Sequence, residues 1–410
     1  MKRHPVAIVL PLFVIVSCTL CAGGELTREA ELRALREEKS RVLAPDRRNR
    51  IESVLLWMQE RKIKERLETP GAGFKGFRPK LGGLSTGSGF AFGVQFDRPR
   101  TWSDRLDLSF SAAASPRKYQ SYDAIFDFPR LLHQRVRLTA SMRYRNMPQE
   151  DYFGLGPDTS KGDRSDYLYE DTAYELAAGL RPIPHLFLGS RLGWLHTNVG
   201  EGTDRRFPST TSVFDEKTAP GLSQQADFLR GELFAELDYR DFAGNPHRGA
   251  YYRLGYAIFD DVTLHRYGFG RLEAEVQQYL SFNHGHRVIA LRFSTSLDHP
   301  RSGQSVPFYL QRTLGGSNDL RGFREFRFRD QNVMVINLEY RWEAWIGLDM
   351  ALFADAGKVF RDRSDFDLRN LESDVGIGFR FNVEKGVFWR IDIARSREGT
   401  RVFMKFNHVF

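Results

Sequence analysis

The sequence predicts an all-β protein, a 16-stranded antiparallel transmembrane β-barrel preceded by a short helical periplasmic segment. Three observations predict it. Period-two alternation of apolar and polar residues takes over from Phe74 onward. No segment after residue 24 reaches the ~20 consecutive apolar residues that a membrane helix needs. Short turn signals (RPIPH at 181, the NPHRG region near 245, NHGH at 283) alternate with long connections such as 146–166 and 198–227. Outer-membrane barrels place turns and loops on opposite sides in this way.

Composition alone points elsewhere. The 410 residues carry a formal charge of +8 and a slightly negative mean hydropathy, as a soluble basic protein would. A membrane barrel escapes that inference, because it shows lipid only every second residue. Its arginines are spread along strands and not gathered into a patch, so nucleic acid is not an expected partner.

The N-terminus, MKRHPVAIVLPLFVIVSCTLCAGGEL, has a basic start, an apolar core from Val6 to Val16 and small residues after it. This is the pattern of a secretory signal peptide, assigned to residues 1–24. Ile15-Val16-Ser17-Cys18 also reads as a lipobox with lipid on Cys18. Both cysteines lie in this segment, so simple cleavage leaves a chain without disulfides or thiolate metal sites. Residues 25–70 are rich in Glu, Arg, Leu and Ala, the helix-forming set, with a break at Pro45-Asp46. They read either as a periplasmic helix that lies on the membrane or plugs a pore, or as a solvated helical tail.

The remaining residues, 71–410, are assigned to the barrel. In RVRLTASMRYR, Val136, Leu138, Ala140, Met142 and Tyr144 face one way, and Arg137, Thr139, Ser141, Arg143 and Arg145 the other. VMVINLEYRW repeats this, with Met334, Ile336, Leu338, Tyr340 and Trp342 opposite Asn337, Glu339 and Arg341. The apolar face suits lipid and the charged face a watery interior. An open sheet would leave edge N–H and C=O groups unpaired in lipid, so the strands are expected to close. Fifteen strands are read between 87–97 and 401–410. An even number requires one more, placed at 73–84.

LGGSNDLRGF, NLEYRW and FADAG, in that order, resemble the motifs of the Omp85 superfamily, the bacterial surface antigen or D15-type barrels. The resemblance covers residues 74 to 410 and identifies Arg321, Gly322 and Phe323 with the motif of the sixth extracellular loop. Glu339 matches the motif of the following strand, and Phe353, Asp355 and Gly357 that of the next. DYFGLGPDTS from Asp151 and GSGFAFG from Gly87 are similar to a subgroup of short members without periplasmic POTRA domains, for which the residues between signal and barrel leave no room. Alternation independently puts Glu339, Asp349, Phe353 and Asp355 on the inner face and Leu348, Met350 and Leu352 on the lipid face. An Arg321 folded into the lumen then has two carboxylates matched to its fork. Gly322 permits a tight tip, and Phe323 wedges against the wall.

The chain ends RVFMKFNHVF. Counting back from Phe410 puts His408, Phe406, Met404 and Val402 on the lipid face, which resembles a C-terminal signal for barrel insertion. Glycines 82, 83, 87, 89 and 93 are expected to weaken pairing at a seam between the first and last strands.

Gly71-Ala-Gly-Phe-Lys-Gly76 matches a dinucleotide fingerprint only in letters, with no strand before it and no helix after it. The histidines lack metal-binding spacing and no Ser-His triad is readable, so no cofactor and no enzyme activity are expected. The resemblance implies insertion of proteins into the outer membrane, or passage of polypeptide across it. The expected partners are outer-membrane lipid, lipopolysaccharide and a polypeptide client, with no small-molecule substrate identified. A passive pore or surface antigen is the alternative, and a lipid hydrolase a third reading.

Overall fold

The computed structural model describes residues 76–283, 285–345, 347–383 and 386–405. The segments expected to be a signal peptide (1–24) and a helical periplasmic segment (25–70), and the expected C-terminal signal residues Phe406, His408 and Phe410, lie outside the described residues.

Sixteen strands form one antiparallel sheet in chain order. They are β1 (Phe77–Gly82), β2 (Ala91–Arg100), β3 (Leu106–Ala114), β4 (Gln120–Leu131), β5 (Val136–Tyr152), β6 (Ser165–Ile183), β7 (Leu186–Glu201), β8 (Phe228–Asp238), β9 (Gly249–Asp261), β10 (Phe269–Phe282), β11 (Arg287–Pro300), β14 (Asn332–Trp345), β15 (Leu348–Phe360), β16 (Glu372–Val383), β17 (Gly386–Ser396) and β18 (Gly399–Lys405). The strand required by parity is β1, inside the 73–84 segment. A separate two-stranded sheet, β12 (Arg312–Leu314) with β13 (Phe328–Asp330), sits within the connection between β11 and β14.

Long ladders fix side-chain parity across the sheet. β10 and β11, for example, stay in register from Phe269↔Pro300 to Phe282↔Arg287, and a one-residue slip would turn every inward charge outward. One face leaves Leu176, Leu233, Leu254, Leu280, Leu352 and Met404 exposed. A contiguous apolar surface of that size belongs against another apolar phase. Aromatic pairs mark its two borders: Tyr340–Trp342 and Phe381–Trp389 at the short-turn end, Tyr122–Tyr144 at the long-loop end. The other face buries Asp171, Glu232, Asp298, Glu339, Asp355 and Arg380.

Two residues expected on the lipid face are buried instead. Met334 stands opposite Lys358, whose ammonium is held by Asp367 and the Arg369 carbonyl of the 361–371 connection. Leu348 lies between Trp345 and Phe381 on the neighbouring strands, at the aromatic border of the sheet.

The expected closure is not seen as a ladder: among the described residues, β1 pairs only with β2, and β18 only with β17. The first strand is short, 6 residues in β1 against 19 in β6. β1 ends on Gly82 at φ 147, a backbone that leaves the strand conformation, so few ladder positions remain.

The long connections pack on one another at their end of the sheet. Ala219, Leu222 and Ala226 from 202–227 join Tyr152, Phe228, Phe269 and Phe308 in one buried cluster, and Phe308 N–H donates to the Pro220 carbonyl at 2.8 Å. In the same connection the Arg206 guanidinium forks onto Asp204 and holds its carboxyl down at about 2.

Candidate functional site

The connection at 301–331 turns inward and carries the sequence-predicted motif. β12 and β13 form its neck, closed by the pairs Arg312↔Asp330, Thr313↔Arg329 and Leu314↔Phe328. Beyond the neck the chain doubles back at Gly315 and Gly316, at φ 116 and 97. Only glycine is comfortable there, and a Cβ on Gly315 would lie 2.2 Å from the Arg324 carbonyl oxygen. Gly316 N–H donates to the Leu320 and Phe323 carbonyls at 3.1 and 3.2 Å, which sets the tip.

The tip delivers Arg321 to the inner wall, where it is fully buried. Its Nε and Nη2 donate to the two oxygens of Asp355, each at 2.7 Å, and its Nη1 donates to Glu339. The guanidinium lies over the Phe353 ring, 3.4 Å from the centroid. This arrangement uses the planarity of arginine three ways: a bidentate fork, a second carboxylate, and a stacked face. Gly322 passes so close to the wall that a Cβ would lie 2.5 Å from the Asp374 Cβ and 2.7 Å from the Ser396 Cβ. Its carbonyl accepts from the Ser396 hydroxyl at 2.8 Å. Phe323 is buried with Leu314, Leu320, Phe328, Val333, Val335 and Val359. Gly357 leaves the space that Leu314 fills, since a Cβ there would lie 3.2 Å from Leu314 Cδ1. All seven residues singled out around the loop therefore meet at one place on β14–β17.

Around them lies a second set that the motifs did not name. Arg341 Nε donates to Glu339 at 2.7 Å, and Arg380 bridges Glu339 and Asp392 at 3.0 and 2.6 Å. Arg390 donates to the Ser317 carbonyl at 2.7 Å. Asn337 donates to the Asp319 carbonyl and to Asp355, at 2.7 and 2.8 Å. Four guanidiniums (Arg321, Arg341, Arg380, Arg390) thus face four carboxylates (Glu339, Asp355, Asp374, Asp392), all buried. Inward parity on β14–β17 was the sequence signal that marks them. Gly376 was missed as well. It stands opposite Phe353, and a Cβ on it would lie 2.4 Å from the ring, so only glycine leaves the ring its place.

Asp355 and Asp374 are direct cross-strand partners, and like charges placed so oppose each other. Asp374→Asn removes the repulsion at nearly constant shape. We expect it to raise unfolding stability by about 0.5–1 kcal/mol, read as a higher midpoint in thermal unfolding; a lower midpoint would contradict this.

The other charged residues of the loop reach connections at both edges of the sheet. Glu325 accepts from the Thr86 hydroxyl and, at 3.2 Å, from its N–H, in the connection between β1 and β2. Arg327 donates to Glu398, between β17 and β18, at 2.6 Å and to Thr159 at 2.8 Å. Arg324 donates to Asp151 at the end of β5. Arg329 Nη2 donates to the Tyr167 hydroxyl at 3.2 Å. One loop tip therefore contacts the first hairpin, the last hairpin and the wall between them.

The chain matches a family model and several solved structures. The Omp85 superfamily domain matches residues 89–396. Among solved structures, the barrel of BamA from Haemophilus ducreyi, in a form lacking POTRA domains 1–3, aligns with a TM-score of 0.58 at 13% identity, over 87% of this chain and 81% of that one. CdiB from Acinetobacter baumannii aligns at 0.48 and 10% identity, over 78% and 57%. CdiB from Escherichia coli gives 0.48 and 10%, over 81% and 58%. No curated protein sequence matches.

Proposed function

The chain belongs to the Omp85 superfamily, and from that premise we propose that it is an outer-membrane barrel that inserts proteins into the outer membrane or passes polypeptide across it. In this reading the first and last strands meet at a seam, the long connections face outside, and the short turns face the periplasm. Residues 1–24 are removed as a signal peptide, 25–70 form a helical periplasmic segment, and 71–410 form the barrel. The setting is the outer membrane of a Gram-negative-type bacterium, with lipid and lipopolysaccharide around the wall and a polypeptide as client.

The observation that carries the reading is the loop tip. Arg321 anchors it to Glu339 and Asp355, while Glu325 and Arg327 reach the two hairpins that flank the seam. The buried charge cluster gives the loop tip one fixed position on the wall. Such pairs gain little net stability, because desolvation offsets their attraction, and they serve better to fix position. The short first strand leaves few ladder bonds to break on its side of the seam, and an exposed edge can accept a client strand by augmentation. The packed cluster over the long-loop end also weighs against an open channel.

Conductance in planar bilayers tests the reading against the pore alternative, comparing wild type with Arg321→Ala and with residues 25–69 deleted. The expected result is a small, gated conductance that rises in Arg321→Ala, together with reduced outer-membrane protein levels in a deletion strain. A steady pore indifferent to both changes, with normal protein levels, would favour the passive pore.

A further inference from the structure

We propose that the lipid-facing surface of β15–β18 holds a lipid A molecule, one phosphate on Arg395 and an acyl chain in the groove beneath it. The inference rests on the outer-membrane reading above, which puts lipopolysaccharide around the wall, and gives one such molecule a defined site on named residues. A shallow groove of about 440 Å³ runs over this surface, lined by Leu352, Val375, Ile377, Ile393, Arg395 and Thr400. The ladders place Leu352, Ile377 and Ile393 in one cross-strand row, and Val375, Arg395 and Thr400 in the next row toward the long-loop end. The groove is thus aliphatic along its length and cationic at one end.

Arg395 points away from the lumen, exposed beside the outward-facing Ile393. Its Nη1 donates to the Thr400 hydroxyl at 3.0 Å, and among the described residues it has no carboxylate partner. Glu372, on the same rim, is taken by Arg397 at 2.6 and 2.7 Å. Inward-facing arginines of the same strands differ: Arg380 and Arg390 each lie against Asp392. A lipid-facing cation without a protein counter-ion is costly, and is tolerated where headgroups supply the anion. At the long-loop end, in the outer leaflet, the phosphate-bearing lipid is lipid A. Thr400 helps to hold the guanidinium toward the groove mouth, so the phosphate meets a fork suited to its geometry.

Native mass spectrometry of the purified full chain tests the assignment. Detergent-solubilised protein is mixed with bis-phosphorylated lipid A, dephosphorylated lipid A or phosphatidylglycerol, and lipid-bound fractions are compared for wild type, Arg395→Gln and Val375→Phe. Heat-dependent gel mobility confirms that each variant is folded. Wild type is expected to retain phosphorylated lipid A about tenfold better than Arg395→Gln does, the worth of one charge-assisted contact. Val375→Phe, which fills the groove, should lower retention of the dephosphorylated form as well. Equal retention by wild type and Arg395→Gln would overturn the proposal, as would equal retention of phosphatidylglycerol. Membrane fractionation, run separately, reports on the outer-membrane reading itself and does not depend on this groove.

Discussion

Replacing Arg321 with alanine is expected to release the loop tip from the wall. Arg321 is fully buried and serves both Glu339 and Asp355, and breaking a buried pair by removing one partner costs about 3–5 kcal/mol. Here the stranded carboxylates keep other donors, Arg341 and Arg380 on Glu339 and Asn337 on Asp355, so the net loss falls to roughly 2–3 kcal/mol. Applied to a local opening equilibrium, about 2 kcal/mol multiplies the undocked population roughly thirtyfold. Trypsin added to intact cells reads this directly, because Arg324 and Arg327 become cleavable only when the tip leaves its pocket. Arg321→Lys should rescue little, since a point charge spans one carboxylate and stacks poorly on Phe353. Cleavage of Arg321→Ala at the wild-type rate would contradict this account of the anchor.

A second large effect is expected at Gly322, for a steric reason. The Cβ atoms of Asp374 and Ser396 stand 2.5 and 2.7 Å from where a side chain would begin, and both belong to wall strands held by ladders on each side. Gly322→Val must therefore push the tip out or part β16 from β17. Overpacking of this kind costs about 1–3 kcal/mol, and undocking should match that of Arg321→Ala without removing any charge. The thermal midpoint of the folded form should fall with it. An unchanged midpoint and unchanged trypsin sensitivity would show that the tip does not sit against Ser396 in the membrane.

The wall was legible because period-two patterning is a local signal, repeated from β2 to β18, and because parity alone demanded β1. The inner positions of Glu339, Phe353 and Asp355 followed from the same alternation. What the sequence hid was long-range. Glu325 and Thr86 meet across 239 positions, and nothing in either segment names the other. β12 and β13 have three residues each, too few for any pattern to register. Met334 has the parity of a lipid-facing residue and is buried because a distant connection holds the lysine beside it. Gly376 carries no signal of its own in the sequence, because its role depends on Phe353 standing opposite it on the neighbouring strand.

In the function proposed above, the loop tip spans the seam and must let go for polypeptide to be handled. The most direct test is a reversible bridge between Thr86→Cys and Glu325→Cys, made with a short reducible bis-methanethiosulfonate in a chain whose two natural cysteines, Cys18 and Cys21, are replaced. Insertion or translocation is then assayed in proteoliposomes before and after reduction. The account predicts that the bridged protein is folded and inactive, and that dithiothreitol restores activity to the level of the unbridged double variant. Full activity with the bridge in place would contradict it.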